Sequence, residues 1–152
     1  MFYTQWKAYQ EHIKEAVAPL TAEQLTLRAA PGLRSIGENA AHIIGCRAGW
    51  FIYTLGEEGD AYLKAWEEHN EYAQSATELV HGLDATWQLM ADRLARWNPV
   101  DMQQTFPDDW DGEIVHLSRA WVIWHVLEHD LHHGGEISLT LGMHGLKSSF
   151  TS

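Results

Sequence analysis

The chain has 152 residues and a formal net charge of −11, which suits one domain of ordinary size. This charge excludes nucleic acids and anionic membrane surfaces as expected partners, because both need a cationic patch. A single cysteine excludes an internal disulfide and Cys-rich zinc sites. The beginning of the chain carries charges throughout, and no stretch approaches the ~20 apolar residues that span a membrane. We therefore expect a cytoplasmic protein.

Apolar residues recur at three- and four-residue intervals over most of the chain, which predicts helices. Ser35 and Glu38 form the capping-box pattern that starts the second of them. Gly82 predicts a kink or a division in the third. The four predicted helices cover residues 2–18, 35–55, 60–97 and 116–141, with a turn or one-turn helix at 21–27.

Residues 100–115 separate the last two predicted helices. Asp111-Gly112, flanked by apolar residues, favours a short hairpin there rather than another helix. Four long helices favour an all-α four-helix bundle. No repeat, low-complexity tract or linker interrupts the chain, so we expect a single domain over residues 1–152.

Three histidines of the last predicted helix, His125, His129 and His133, are each four residues apart. Successive members drift by only about 40° around a helix, so the three share one stripe. Neighbours at this spacing can bind one ion, although a buried polar stripe without metal is the alternative. Because His125 and His133 are about 12 Å apart along the axis, one ion cannot bind all three. Its ligands on this helix are either His125 with His129 or His129 with His133. Neutral imidazoles suit Zn²⁺, Ni²⁺, Cu²⁺ or Fe²⁺.

Two local motifs offer other interpretations of this stripe. His125-Val-Leu-Glu128-His129 matches the H-x-x-E-H pattern of inverzincins, but those enzymes need a larger fold and a distant carboxylate ligand. Asp130 occupies the place of the catalytic glutamate in H-E-x-x-H zincins. Its side chain is shorter and lies about 100° around the helix from His129. We expect Asp130 beside the site or on the surface.

A further ligand is expected from an interior histidine on another helix, and His42 fits best. It lies in an apolar stretch seven residues after Ser35, and the small Ala40 and Ala41 permit close helix approach. Cys46 follows one turn later on the same face. Three interpretations of Cys46 stay open: a small buried residue, a fourth ligand that would close the metal site, or a reactive thiol.

Two segments, SIGENAAHIIG and HVLEHDLHHGGEISLTLGMHG, resemble the DinB-like (YfiT-like) metalloprotein superfamily, and the resemblance covers nearly the whole chain. It implies a four-helix bundle with a long crossover between the second and third helices, commonly as a homodimer. It also implies that His42, His129 and His133 bind a divalent metal, Zn or Ni, with water completing the shell and His125 beside the site. Many relatives carry Arg where this chain has Gly134. This chain therefore lacks an anion-binding group that those relatives have beside the site.

The resemblance also suggests an activity. Characterised members include thiol S-transferases that use bacillithiol, mycothiol or glutathione, and metal-dependent hydrolases or isomerases. Three histidines plus water make an open, catalytic type of metal site. The first hypothesis is thus a metal-dependent thiol S-transferase or hydrolase acting on a small molecule such as a low-molecular-weight thiol. The alternative is a non-enzymatic, metal-stabilised or ligand-binding dimeric module. Glu136 and Glu38 are candidate general bases, and the catalytic residues stay unassigned.

The last predicted helix has a second apolar face opposite the histidines. A helix that is apolar on both sides is buried on both sides, against a neighbouring helix or across a homodimer two-fold axis. The members of this face are Trp124, Leu127, Leu131, Gly134 and Ser138. Trp50, one turn after Cys46, is expected either to line a pocket or to fill the core.

Overall fold

The computed structural model describes residues 2–68, 75–148 and 150. The helical elements are α1 (Phe2–Val17), α2 (Ala22–Leu25), α3 (Ile36–Ala48), a π-helix (Gly49–Thr54), α4 (Ala61–Glu68), α5 (Ala76–Leu94), a 3₁₀ turn (Asp101–Gln103) and α6 (Arg119–Met143). The strands β1 (Thr105–Trp110) and β2 (Glu113–Ser118) form an antiparallel pair. The protein is therefore mostly helical, and the all-α expectation is confirmed only in part because the chain also contains this small sheet. Over the described residues, no helix is both long and apolar enough to cross a bilayer.

The hairpin expected within residues 100–115 is present and extends three residues further. Asp111 and Gly112 form its two-residue turn, with φ values of 55° and 87°. Positive φ at both turn positions matches the twist of the flanking strands, and Asp-Gly tolerates it. The fourth predicted helix consequently begins later than expected: His116 lies in β2, and α6 starts at Arg119. Ser118 Oγ caps that start by accepting a hydrogen bond from the Trp121 backbone N–H.

The third predicted helix is divided, but not at Gly82. α4 ends at Glu68, residues 69–74 lie outside the described part of the chain, and α5 follows Ser75. The Ser75 hydroxyl accepts from the Glu78 backbone N–H, and the Glu78 carboxylate accepts from the Ser75 N–H at 2.8 Å. This capping box starts a new helix. Gly82 lies inside α5, where a Cβ would meet Trp66 at 2.7 Å and Ile44 at 2.8 Å.

The second predicted helix begins as expected, with the reciprocal hydrogen bonds of Ser35 and Glu38. It is not α-helical to Leu55, because the chain widens into a π-helix at Gly49. The Leu55 N–H donates to the Trp50 carbonyl at 3.0 Å, a five-residue step. π-helical turns are rare in proteins, and those that occur are often found at functional sites. Gly56, with φ of 69°, ends the segment.

α3 is the central helix, in contact with α1, α4, α5 and α6. Two apolar clusters pack around it, one toward each end of the helices. One cluster contains Trp6, Phe51, Met90, Val122 and Val126, among others. The other contains Ile13, Val17, Ile44, Leu83, Ile137 and Leu141, among others.

A buried polar layer lies between these clusters. Arg47 and Asp130 are 0% and 1% exposed, and Arg47 Nη2 donates to Asp130 Oδ2 at 2.7 Å. Trp6 Nε1 donates to the same carboxylate at 2.7 Å, and Arg47 Nη1 donates to Gln10 Oε1 at 2.7 Å. These bonds join α1, α3 and α6. The expectation of a surface position for Asp130 is thus wrong, since its carboxylate points into the core and joins these helices.

The predicted second apolar face of α6 is only partly a surface. Leu127 is buried, and Gly134 is covered by Tyr9, with which a Cβ at that position would overlap. Trp124 and Leu131 are 56% and 45% exposed. Leu139, at 60%, extends the exposed apolar stripe toward the end of the helix.

Substitution of Asp130 by Asn should destabilise the fold strongly. The change keeps the shape but leaves the Arg47 guanidinium buried without a counter-charge, and such losses cost about 3–5 kcal/mol. Urea unfolding in the presence of a chelator measures the free energy of unfolding. Glu128→Gln on the exposed side of the same helix is the control and should change it by less than about 0.5 kcal/mol. Equal effects for the two variants would contradict the structural role.

Gly82→Ala and Gly135→Ala should act in opposite directions. Alanine in a helix interior is intrinsically better than glycine by roughly 0.5–1 kcal/mol, and a Cβ at Gly135 meets nothing within 4 Å. At Gly82 the overlap with Trp66 and Ile44 should reverse the gain, with a net loss of about 1–3 kcal/mol. Thermal unfolding of the two variants tests this, and stabilisation by Gly82→Ala would contradict the packing.

Candidate metal centre

Three imidazoles converge where α3 crosses α6. His42 comes from α3, and His129 and His133 come from successive turns of α6. The ring centroids lie 4.9 Å (42–129), 4.7 Å (42–133) and 4.6 Å (129–133) apart. Each ring offers one nitrogen within 4.8 Å of the other two. The structure thus brings together the three residues named from the sequence.

His125 is the stripe member outside this group. Its ring stacks on Trp121 at 5.0 Å and 10° and meets the edge of Trp50 at 4.8 Å. It lies next to His129, with 5.4 Å between the ring centroids. His125 therefore packs the aromatic side of the site.

Glu136 orients His133. Its carboxylate accepts a hydrogen bond from His133 Nδ1 at 2.6 Å, because a carboxylate can only accept. The other ring nitrogen, Nε2, then keeps its lone pair for a cation, an arrangement common around metal-bound histidines. His132 Nε2 lies 3.4 Å from the second Glu136 oxygen. His132, His133 and Glu136 form a second, more exposed group with metal-ligand types.

The residues present fit a divalent metal ion. His129 Nδ1 is buried and has no hydrogen-bond partner, although buried ring nitrogens normally have one. A cation is a suitable partner for a nitrogen lone pair in such a place. Three neutral imidazole nitrogens form a donor set that suits Zn²⁺ or Ni²⁺ better than Mg²⁺ or Ca²⁺.

The three imidazoles are held neutral. Burial, the largest cause, and the neighbouring His133, His42 and His125 together lower the pKa of His129 to about 3. Burial also lowers the pKa of His42 to about 4, together with the positive charge of Arg34. Burial lowers the pKa of His133, although the hydrogen bond that the ring donates to Glu136 acts in the opposite direction. Neutral imidazole is the form that binds a metal.

Cys46 is next to the site but not in the histidine group. Its thiol does not belong to the cluster whose ligand atoms lie within 4.8 Å of one another. Burial raises its pKa to about 12, assisted by the charge of Asp130. A protonated, buried thiol is a poor nucleophile. The geometry therefore favours the interpretation of Cys46 as a small buried residue.

A cavity of about 420 Å³ opens beside the histidines. Its floor includes His42, His129 and Cys46, and its walls come from the π-helix, α4 and β1. Trp50 lines this cavity, which confirms the first of the two expectations for this residue. The wall residues Glu67 and Asp108 had no signal in the sequence, because neither belongs to a local motif.

A larger cavity lies elsewhere. A groove of about 1260 Å³ runs between the π-helix, α4 and α5 and contains one histidine, His81. Its size alone does not make it the reactive site, since it gathers no group of possible metal ligands among the described residues. The smaller cavity is the one lined by members of the histidine group, His42 and His129.

Of the two candidate bases, Glu38 is already engaged. Its carboxylate accepts from the Ser35 N–H at 2.7 Å and from Arg28 Nη2 at 2.7 Å, and these partners lower its pKa. Glu136 is bound to His133, with its side chain 42% exposed. Glu136 is thus the one of the two that touches the histidine group.

A helical fold with a histidine cluster between two helices defines a class of candidate metalloproteins. The sequence model of the DinB superfamily matches residues 2–137. The chain belongs to the DinB superfamily, which confirms the resemblance found in the sequence.

Solved structures agree on the fold. A DinB-like protein from Bacillus cereus ATCC 10987 superimposes with a TM-score of 0.78 at 20% identity, over 99% of this chain and 95% of that one. A conserved protein from Enterococcus faecalis gives 0.60 at 14% identity, over 90% and 92%. No curated protein matches the sequence.

Metal binding should be insensitive to mild acid. An ordinary histidine has a pKa of about 6.5, so its affinity for metal falls below that pH. Because the pKa values of His42 and His129 are lowered to about 4 and about 3, their neutral forms persist to lower pH. The dissociation constant for Zn²⁺ should stay nearly constant from about pH 7.5 to about pH 5.5 and rise toward about pH 4. Competitive titration measures it, and a rise centred near 6.5 would contradict the prediction.

Proposed function

We propose that this chain binds one divalent transition-metal ion, Zn²⁺ or Ni²⁺, through His42, His129 and His133, and that it is an enzyme of thiol S-transferase or hydrolase type. The observation that carries the proposal is the convergence of three neutral imidazoles, two of which, His42 and His129, line a cavity. A structural zinc site normally has four protein ligands, whereas three ligands leave a position for water or substrate.

The chain's own residues prepare the site for a small molecule. Glu136 holds the His133 ring in one orientation through Nδ1. Trp50 and Trp121 shield the His125 side of the cluster. A bound divalent ion would supply Lewis acidity that lowers the pKa of a coordinated water or thiol. The cavity of about 420 Å³ lies within the range of small-molecule sites.

Metal analysis tests the first half of the proposal. The purified protein should hold about one transition-metal ion per chain, and metal should raise its melting temperature because it binds the folded state. His129→Ala should abolish both effects, and Glu136→Gln should weaken affinity by about 10- to 100-fold. His116→Ala, on exposed strand β2, is the control and should bind like the native protein. Equal metal content in the His129 and His116 variants would exclude the assigned ligands.

Turnover assays test the second half. The metal-loaded protein is incubated with low-molecular-weight thiols and an electrophile such as 1-chloro-2,4-dinitrobenzene, and separately with nitrophenyl esters. Thiol consumption or ester hydrolysis should occur above background and disappear with His129→Ala. If metal stabilises the fold but neither reaction occurs, the non-enzymatic module becomes the better explanation.

We also propose that α6 forms a homodimer contact through its exposed apolar stripe, Trp124, Leu131 and Leu139. Gly135 lies between these side chains and leaves open space for a second helix. Large apolar side chains exposed along one side of a helix are typical of an interaction surface.

Leu131→Lys should shift the protein toward monomer. A lysine in the middle of the stripe would have to bury its charge against apolar side chains of a second copy, which is unfavourable. Analytical ultracentrifugation measures the dimer dissociation constant, and Gln88→Lys at an exposed position of α5 controls for the added charge. Native protein that sediments as a monomer at high concentration would refute this contact.

A further inference from the structure

We propose that the cavity beside the histidines selects a ligand with a cationic group, and that Glu67 and Asp108 are the residues that recognise it. The inference rests on the proposed metal-dependent function and names the substrate class of that site. Its evidence is the distribution of charge around the cavity.

The two acidic walls come from separate elements. Glu67 is on α4, and its side chain lies over the π-helix, where a Cβ on Gly49 would meet Glu67 Cγ at 3.1 Å. The missing Cβ at Gly49 therefore makes room for this side chain beside the cavity.

Asp108 reaches the cavity from the hairpin. Its Oδ2 accepts a hydrogen bond from Trp110 Nε1 at 2.8 Å, which fixes the carboxylate and leaves the other oxygen for a ligand. Trp110 packs against Trp121 of α6 at 5.9 Å, so the hairpin is held over the site by aromatic contacts. Asp108 is half-buried, which strengthens its interaction with a cation relative to a fully solvated carboxylate.

The remaining lining favours the same class of ligand. Trp50 lines the cavity, and indole rings attract cations through the negative face of the π-system. Among the lining residues in the described part of the chain, none is Lys or Arg. Arg34 is not among them: it precedes α3, whereas the cavity residues Gly45 and Gly49 follow His42 along the helix axis.

The charges are therefore arranged along α3 in order: Arg34 on one side, the histidines in the middle, and Glu67 with Asp108 on the other side. A divalent ion at the histidines attracts an anionic donor such as a thiolate. The acidic walls then favour a positive charge on the part of the ligand that extends into the cavity. Thiols with a carboxylate or sulfonate at that place are disfavoured.

Three thiols of equal chain length test this selectivity on the Co²⁺-loaded protein: thiocholine (cationic), 2-mercaptoethanol (neutral) and 2-mercaptoethanesulfonate (anionic). The quaternary ammonium of thiocholine cannot coordinate the metal through nitrogen. Thiolate-to-cobalt absorption gives each dissociation constant. Thiocholine should bind about three- to tenfold more tightly than 2-mercaptoethanol, as expected for partly exposed charge pairs and a cation–π contact, and the sulfonate should bind more weakly.

Paired variants separate wall charge from thiol acidity, because the same three ligands are compared on each protein. Glu67→Gln with Asp108→Asn should reduce the ratio of thiocholine to sulfonate affinity by at least fivefold without changing Co²⁺ binding. Asp109→Asn, the next residue on the exposed strand, should leave the ratio unchanged.

The outcomes distinguish this inference from the proposed function. If Co²⁺ binds but no thiol changes the spectrum, the thiol-dependent function fails. If all three thiols bind with a ratio that the double variant does not alter, the function stands and the inference is wrong. Preferred binding of the sulfonate would also overturn it.

Discussion

The buried ion pair between Arg47 and Asp130 is the constraint on which the arrangement of the helices depends. Both side chains are inaccessible, so each must find its partners inside the protein. Arg47 bonds Gln10 of α1, and Asp130 accepts from Trp6 of the same helix. The two apolar clusters on either side of this polar layer would tolerate a small sliding of one helix along another. The hydrogen bonds of the polar layer, in contrast, are all made only at one relative position of the helices. It therefore sets the register of α1, α3 and α6.

This register determines where the histidines meet. Asp130 points into the core, which turns the adjacent His129 and the next-turn His133 toward one side of α6. Arg47 fixes α3 at the same height, and His42, five residues earlier, then faces both. A charged network buried in the core thus orients the three imidazoles, and the cluster needs no loop to assemble it. Sites on packed helices are held more precisely than sites on loops.

The sequence predicted much of this arrangement because its signals are local. Helix starts such as Ser35, the Asp111-Gly112 turn and the i,i+4 histidines depend on neighbours in the chain, and the resemblance selected His129 with His133. The Arg47–Asp130 pair could not be found this way, because 83 residues separate the partners. Asp130 looks like a solvated acid from its neighbours alone. The division at Ser75 was missed although its capping box is local, since Gly82 offered a more conspicuous break.

The irregular elements explain why a cavity exists beside otherwise closely packed helices. If α3 continued as a regular α-helix, Trp50 would have the usual angular position on the helix. The π-helix has a wider turn at this point and therefore changes that position. The hairpin places Asp108 on the opposite wall, anchored by the contact between Trp110 and Trp121. Regular helices hold the metal-ligating type of side chain, and the π-helix and hairpin shape what can approach it. Changes in these two elements can therefore alter ligand choice while the buried ion pair keeps the histidines in place.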